Sequence, residues 1–209
     1  MLKSKSIGYD DVNLIARPQR DIISRSEIIL DKRKIFISPM SFLVGGTFAR
    51  KALNAGYSVC LHRFYKNEYN QIKIFKNLLL EENRDRLWVT VGKNTSLNFI
   101  KEVYNSGCEN ILLDIASGYL TKIIDEFFDK LKVCPFKRVG VGNIQDSSIL
   151  RYYHSKLEEN PLIKELYVRC GIGGGNLCLS TPNTGYGRGS ITEIDECSSW
   201  AEFTKDNEQ

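Results

Sequence analysis

No apolar run in this 209-residue chain approaches the roughly 20 residues a membrane-spanning helix requires. Its first residues, Met1-Leu2-Lys3-Ser4-Lys5, lack the apolar core of a secretory signal. There is no CxxC pair. The six cysteines (60, 108, 134, 170, 178 and 197) are widely spaced, which argues against a zinc site or a disulfide framework. Several, Cys60 among them, sit inside apolar runs, a pattern that suits reduced thiols in a cytoplasmic protein. No stretch holds five or more basic residues, and the net charge is only +4. A nucleic-acid surface is therefore not indicated, and no membrane partner is expected. No low-complexity linker divides the chain. What remains, 42% hydrophobic and 26% charged, is ordinary globular material able to bury one core.

Residues 1–34 show no clear helix and read as a capping segment built from short pieces such as Tyr9-Asp10-Asp11-Val12 and Ser24-Arg25-Ser26-Glu27. From residue 35 to 209 the pattern repeats. Strand-like runs fall at Ile35–Ile37, Tyr57–Leu61, Leu87–Val91, Asn110–Leu113, Arg138–Val141 and Leu166–Val168. Helix-like segments follow them at Thr47–Asn54, Glu68–Leu80, Ser96–Asn105, Leu120–Leu131, Ser147–Glu158 and Thr192–Phe203. Short apolar strands alternating with amphipathic helices predict an α/β fold with parallel pairing through right-handed crossovers. A closed eightfold barrel takes about 250 residues, so the expectation is a partial (β/α)8 barrel of about six units, lacking the last two strands. Such an arc leaves two strand edges and an apolar inner face in need of a partner.

The chemistry-bearing stretch is Arg169-Cys170-Gly171-Ile172-Gly173-Gly174-Gly175-Asn176-Leu177-Cys178-Leu179-Ser180-Thr181, directly after the sixth strand. Its glycines free the backbone to turn sharply and aim carbonyls or N–H groups at an ion or a phosphate. Cys178 at the end of the loop, with the hydroxyls of Ser180 and Thr181 beyond it, fits a nucleophilic thiol with polar helpers. The plain alternative is a glycine-rich turn beside a buried cysteine.

From Gly171 to Cys178 the spacing resembles the catalytic-cysteine loop of the inosine monophosphate dehydrogenase and guanosine monophosphate (GMP) reductase family, VGIGPGSVCTT. Other signatures recur in order: YDDV and SRSE near the start, Ser38-Pro39-Met40, Leu61-His62-Arg63-Phe64, Asp114-Ile115-Ala116-Ser117-Gly118-Tyr119, Gly142-Asn143 and Thr184-Gly185-Tyr186-Gly187. Several forms lean towards the reductase branch, as does the absence of a regulatory insertion after the second unit.

The resemblance implies roles. Cys178 would be the catalytic nucleophile and Ser180 its proton-shuttling hydroxyl. Ser24, Arg25, Arg63, Asp114, Ile115, Ala116, Ile172 and Gly173 would contact NADPH. Ser38, Met40, Asn143 and Asn176 would face the purine nucleotide. The carbonyls of Gly173, Gly175 and Cys178, with Thr181, would hold a monovalent cation such as potassium. The chain departs from the family pattern at Ser41, Ser117, Asn176 and Leu179, and at Arg188-Gly189.

The reading is an N-terminal catalytic part of a GMP reductase-like enzyme, completed by a separately encoded C-terminal half and forming a homo- or hetero-oligomer. Two other readings stay open: a non-catalytic or regulatory truncated relative, and a dehydrogenase half oxidising inosine monophosphate with NAD.

Overall fold

A computed structural model describes residues 6–13, 24, 30–173 and 185–207. Six strands form one sheet: β1 (Phe36–Ile37), β2 (Ser58–Leu61), β3 (Leu87–Val91), β4 (Asn110–Leu113), β5 (Arg138–Ile144) and β6 (Glu165–Cys170). They pair in sequence order and all in parallel. A helix follows each strand: α1 (Gly46–Asn54), α2 (Glu68–Leu78), α3 (Leu97–Asn105), α4 (Thr121–Leu131), α5 (Leu150–Glu158) and α6 (Ser190–Asn207). These are six units of a (β/α)8 barrel.

The two faces of the sheet bury different things. Outward residues such as Val59, Leu61, Val89, Ile111, Leu113, Val139 and Val141 join the helix faces carrying Leu53, Phe75, Ile100, Val103 and Phe128 in the main core. Inward residues form a second, smaller cluster of Cys60, Trp88 and Leu112, with Tyr167 packed against it. Phe36 of β1 lies with its ring centroid 5.6 Å from Trp88 and 5.5 Å from Tyr167 of β6. In a flat sheet, five strand spacings of about 4.8 Å would hold β1 and β6 roughly 24 Å apart. The contact between their side chains therefore shows that the sheet is curled as a barrel.

Local chemistry fixes where the elements start. Asn67 Oδ1 accepts from the Asn70 N–H at 2.9 Å ahead of α2, and Ser96 Oγ accepts from Phe99 N–H at 3.1 Å ahead of α3. Each satisfies one of the N–H groups a helix start leaves open. Two strands run longer than their apolar cores suggest. β5 continues through Gly142 and Asn143 to Ile144, and β6 through Arg169 and Cys170. A single 3-10 turn, Ser147–Ile149, replaces the expected first turn of α5. The last helix is longer than expected and its apolar face is weak: among its described side chains only Glu193 and Cys197 are buried, while Ile194 and Phe203 are exposed.

Burial also falls away at the sides of the arc. β2, β3 and β4 are wholly buried, whereas β1 and β6 hold only half-buried and exposed residues. At the start of the chain, the Ile7 carbonyl accepts from Ile191 and Thr192 N–H, and Thr192 Oγ1 accepts from Ile7 N–H at 2.7 Å. The first described residues are thus tied to the beginning of α6. A Cβ on Gly189 would lie 2.3 Å from the Ile7 oxygen, so this approach requires glycine.

Candidate active site

Alternation along parallel strands sends every second side chain into the barrel. On β6 that places Tyr167 and Arg169 inside. On β4 it places Leu112 inside, and Asp114 two residues further on. Leu112 faces Gly140 of β5, and Gly142 in turn faces Arg169. A side chain at Gly142 would put its Cβ 2.7 Å from the Arg169 carbonyl oxygen, and its φ of +140° is unsuited to other residues. With no side chain there, Arg169 reaches across β5 and donates from its terminal nitrogen to Asp114 Oδ1 at 2.8 Å.

A second arginine meets the same carboxylate. Arg63, just beyond β2, donates from Nε to Asp114 Oδ2 at 3.3 Å and stacks over the Phe64 ring at 4.3 Å. The bend that presents it is set by His62, whose Nδ1 accepts from Phe64 N–H at 3.0 Å and whose ring stacks on Tyr65. Burial lowers the His62 pKa and so favours its neutral form, as accepting at Nδ1 requires. Asp114 is thus held by two cations, with its side chain 18% exposed. The two contacts differ in strength: Arg169 is close and inward, while Arg63 is longer and more exposed. Of the two, Arg63 is the one free to turn towards a ligand.

Two hollows meet at Asp114. One, of about 540 Å³, is lined by Arg63, Tyr65, Lys93, Thr95, Asp114, Ile115 and Ala116, among others. The capped starts of α2 and α3 border it, and Gln71 in its wall donates to the Thr90 carbonyl at 2.8 Å. The smaller, of about 270 Å³, lies between Ser38, Met40, Phe42, Phe64, Asp114 and Arg169. Both sit at the C-terminal ends of the strands, where barrel enzymes carry their sites.

The residues singled out in the sequence divide accordingly. Arg63, Asp114, Ile115 and Ala116 share the larger hollow; Ser38 and Met40 line the smaller. Asn143 is half-buried beside them, its carbonyl accepting from Gly118 N–H at 2.7 Å and its amide 3.5 Å from the Ile115 carbonyl. Ile172 is buried, and Gly173 turns with φ +70° just after Gly171, which donates to the Ile144 carbonyl at 2.7 Å. Ser24 is exposed and lines neither hollow. Arg25, Gly175, Asn176, Cys178, Ser180 and Thr181 lie outside the described residues.

The five described cysteines carry free thiols. Burial pushes all five up, Cys60, Cys108 and Cys197 to about 12. A thiol so raised is a poor nucleophile near neutral pH. Among the described residues, no group of three or more His, Cys, Asp or Glu side chains is arranged to hold a metal ion. No described helix is long and apolar enough to cross a membrane.

Two features go beyond the sequence reading. Arg169 reads in the sequence as part of the glycine loop, whereas the structure places it on β6 pointing inward, two residues after Tyr167. Beyond the loop, Arg188 donates to Glu196 at 2.6 Å and to the Gln145 carbonyl at 3.2 Å, while Glu196 accepts from the Ser147 N–H and hydroxyl. Arg188 and Ser147 together hold the Glu196 carboxyl below its usual pKa. The loop's exit is thereby fastened to the segment after β5.

The fold and site define a partial (β/α)8 barrel whose mouth carries an Arg–Asp–Arg bridge. No family model matches the chain. Among curated proteins it is 26% identical over 209 residues to the GMP reductase of Edwardsiella ictaluri, covering 91% of this chain and 57% of that protein. It is 29% identical over 197 residues to the GMP reductase of Helicobacter pylori, covering 88% and 57%. Among solved structures, inosine 5'-monophosphate dehydrogenase from Legionella pneumophila superposes with a TM-score of 0.75 at 19% identity, covering 93% of this chain and 59% of that one. These likenesses support a place beside GMP reductase and inosine monophosphate dehydrogenase, and the structural one shows the barrel fold. It spans about 57% of the length of the curated relatives it matches.

Proposed function

We propose that this chain is the catalytic part of a GMP reductase-like enzyme, carrying out NADPH-dependent reductive deamination of GMP to inosine monophosphate. The observation that carries the reading is the Asp114 bridge between the two hollows, in a chain whose curated relatives are GMP reductases. The larger hollow suits one end of an anionic dinucleotide: Arg63 and Lys93 offer positive charge, and Asp114 accepts from sugar hydroxyls or an amide. When bound, the nicotinamide would supply the hydride. Ile115, Ala116, Ile172 and Gly173 would shape that end of the site, with Ser24 and Arg25 contributing from the N-terminal segment.

The purine nucleotide would occupy the smaller hollow, against Ser38 and Met40, with Asn143 and Asn176 as polar contacts. Cys178 would attack guanine C2, and ammonia would leave to give a thioimidate. Once C2 has been reduced, the C2–S bond would break, freeing inosine monophosphate and leaving the Cys178 thiolate on the protein. Ser180 would pass protons during both halves, and dividing the reaction in this way lowers each barrier. Gly173, Gly175, Cys178 and Thr181 would hold potassium. The raised pKa values of the five described thiols support Cys178 as the reactive sixth.

Further strands from the C-terminal part of the barrel would complete it within a cytoplasmic homo- or hetero-oligomer. The half-buried β1 and β6 support this arrangement. The test is alkylation of the protein with and without GMP, mapped by mass spectrometry. Preferential labelling of Cys178, suppressed by GMP, is the expected outcome. Equal labelling with and without nucleotide would favour a non-catalytic relative, and protection by inosine monophosphate with NAD alone would favour the dehydrogenase direction.

A further inference from the structure

Three apolar side chains of the smaller hollow stand open to solvent: Phe42 is 80% exposed, Phe64 57% and Met40 40%. A ring left in water forgoes the stabilisation that its burial brings. Single apolar residues scattered over a surface call for no explanation, but a group of them beside polar groups marks a binding site. Here the polar groups are Asp114 and Arg169, which line the same hollow.

Both rings are presented by hydrogen-bonded turns at strand ends. Phe42 lies in the turn after β1, where the N–H groups of Leu43 and Val44 donate to the Met40 carbonyl at 3.0 and 2.9 Å. Val44 is fully buried and anchors that turn. Phe64 follows β2, and its N–H donates to His62 Nδ1. The Arg63 guanidinium covers one face of the Phe64 ring. Arg63 lines the larger hollow and Phe64 the smaller, so this stacked pair is the partition between them. Among the described residues, no aromatic side chain stacks on Phe42 or on Phe64.

We propose that Phe42 and Phe64 form a stacking platform for the base of a purine nucleotide and set the base specificity of the smaller hollow. The inference rests on the reading of that hollow as the nucleotide site, and it adds two residues that neither the motifs nor the bridge at Asp114 had assigned. A planar heteroaromatic base matches both parts of the surface. Its face covers a phenyl ring, and its edge carries donors and acceptors for the Asp114–Arg169 pair. An aliphatic chain would also cover the rings, but it would set apolar surface against that ion pair, which is costly. With Arg63 on one face of Phe64, the base takes the other. Stacking reads the size and planarity of a base more than the pattern at its edge. Binding should therefore favour purine over pyrimidine nucleotides while separating guanine from hypoxanthine only weakly, leaving that choice to the chemical step.

The experiment is calorimetric titration of the full chain with GMP, with cytidine monophosphate and with ribose 5-phosphate, which has no base. Wild type is compared with Phe42→Ala and Phe64→Leu. Because the Phe42 ring is mostly in water, its loss should leave the melting temperature within about 2 °C of wild type. The expected result is GMP affinity lowered roughly tenfold or more in each variant, with ribose 5-phosphate affinity held within about twofold. Wild type should bind GMP more tightly than cytidine monophosphate. Unchanged GMP affinity in both variants would overturn the proposal, as would equal losses for GMP and ribose 5-phosphate, which would make the rings supports of the loop only. Loss of NADPH affinity with GMP binding intact would also overturn it, assigning the platform to the nicotinamide. A wild type that binds no GMP would overturn it together with the purine reading of the hollow. The two can also fail separately. GMP that binds in the expected pattern but is not reduced by NADPH would sink the reductase reading and leave the platform standing, whereas turnover with GMP affinity unchanged in both variants would do the reverse.

Discussion

Replacing Glu193 by glutamine should stabilise the protein above neutral pH and leave it unchanged in acid. The side chain is 1% exposed in the first turn of α6, packed on Gly171, and its Oε1 has no hydrogen-bond partner among the described residues. Burial raises its pKa above the ordinary 4.5; the nearby Arg188 pulls it down, and Asp146 pushes it further up. The sign follows from linkage. A carboxyl whose folded pKa lies above its unfolded value binds more protons in the native state, so stability falls as pH rises between the two values. Above the folded pKa, the native state carries the cost of a buried carboxylate with one unpaired oxygen, about 1–3 kcal/mol. Glu193→Gln keeps the shape and removes the charge. The variant should melt roughly 3–10 °C higher at pH 8 and within about 1–2 °C of wild type at pH 4. Paired melts by circular dichroism across that range read the difference directly. A wild type more stable than the variant at pH 8 would mean that the carboxylate is ionised and held by a cation, refuting the reasoning.

Other outcomes follow from the same geometry. Trp88→Ala empties the barrel interior between Phe36 and Tyr167 and should cost about 3–5 kcal/mol in urea unfolding. Gly142→Ala places a methyl against the Arg169 backbone at positive φ and should destabilise by more than about 1 kcal/mol. On the proposed function, the same change should weaken NADPH binding by displacing Arg169 from Asp114. Arg63→Ala removes an exposed partner and should change stability by less than about 1 kcal/mol. On the proposed function it should still weaken NADPH binding at least roughly tenfold, read by fluorescence titration.

Much of the fold was legible in the sequence because parallel strands buried on both faces read as short continuous apolar runs. The limits of β5 and β6 were not legible, since Gly142, Asn143 and Arg169 continue the ladder without continuing the apolar run. Arg169 illustrates the wider difficulty. Its counterion, Asp114, lies on another strand, and only the register across β5 brings them together. Arg63 and Asp114 were recognised through family likeness, but the bridge joining them was not. Glu193 reads in the sequence as one more charged residue of a surface helix. Its burial follows from the contact between α6 and the root of the loop, which no local pattern encodes.

The central claim, that the chain carries a cysteine-dependent GMP reductase site, is tested most directly by turnover. Residues 1–209 should be combined with a C-terminal barrel half taken from a GMP reductase relative, and NADPH oxidation and ammonia release followed together. The account predicts NADPH oxidation only when GMP is present, one ammonia per NADPH consumed, and loss of both in Cys178→Ala. Turnover that survives Cys178→Ala, or NAD reduction with inosine monophosphate in place of NADPH oxidation, would contradict it.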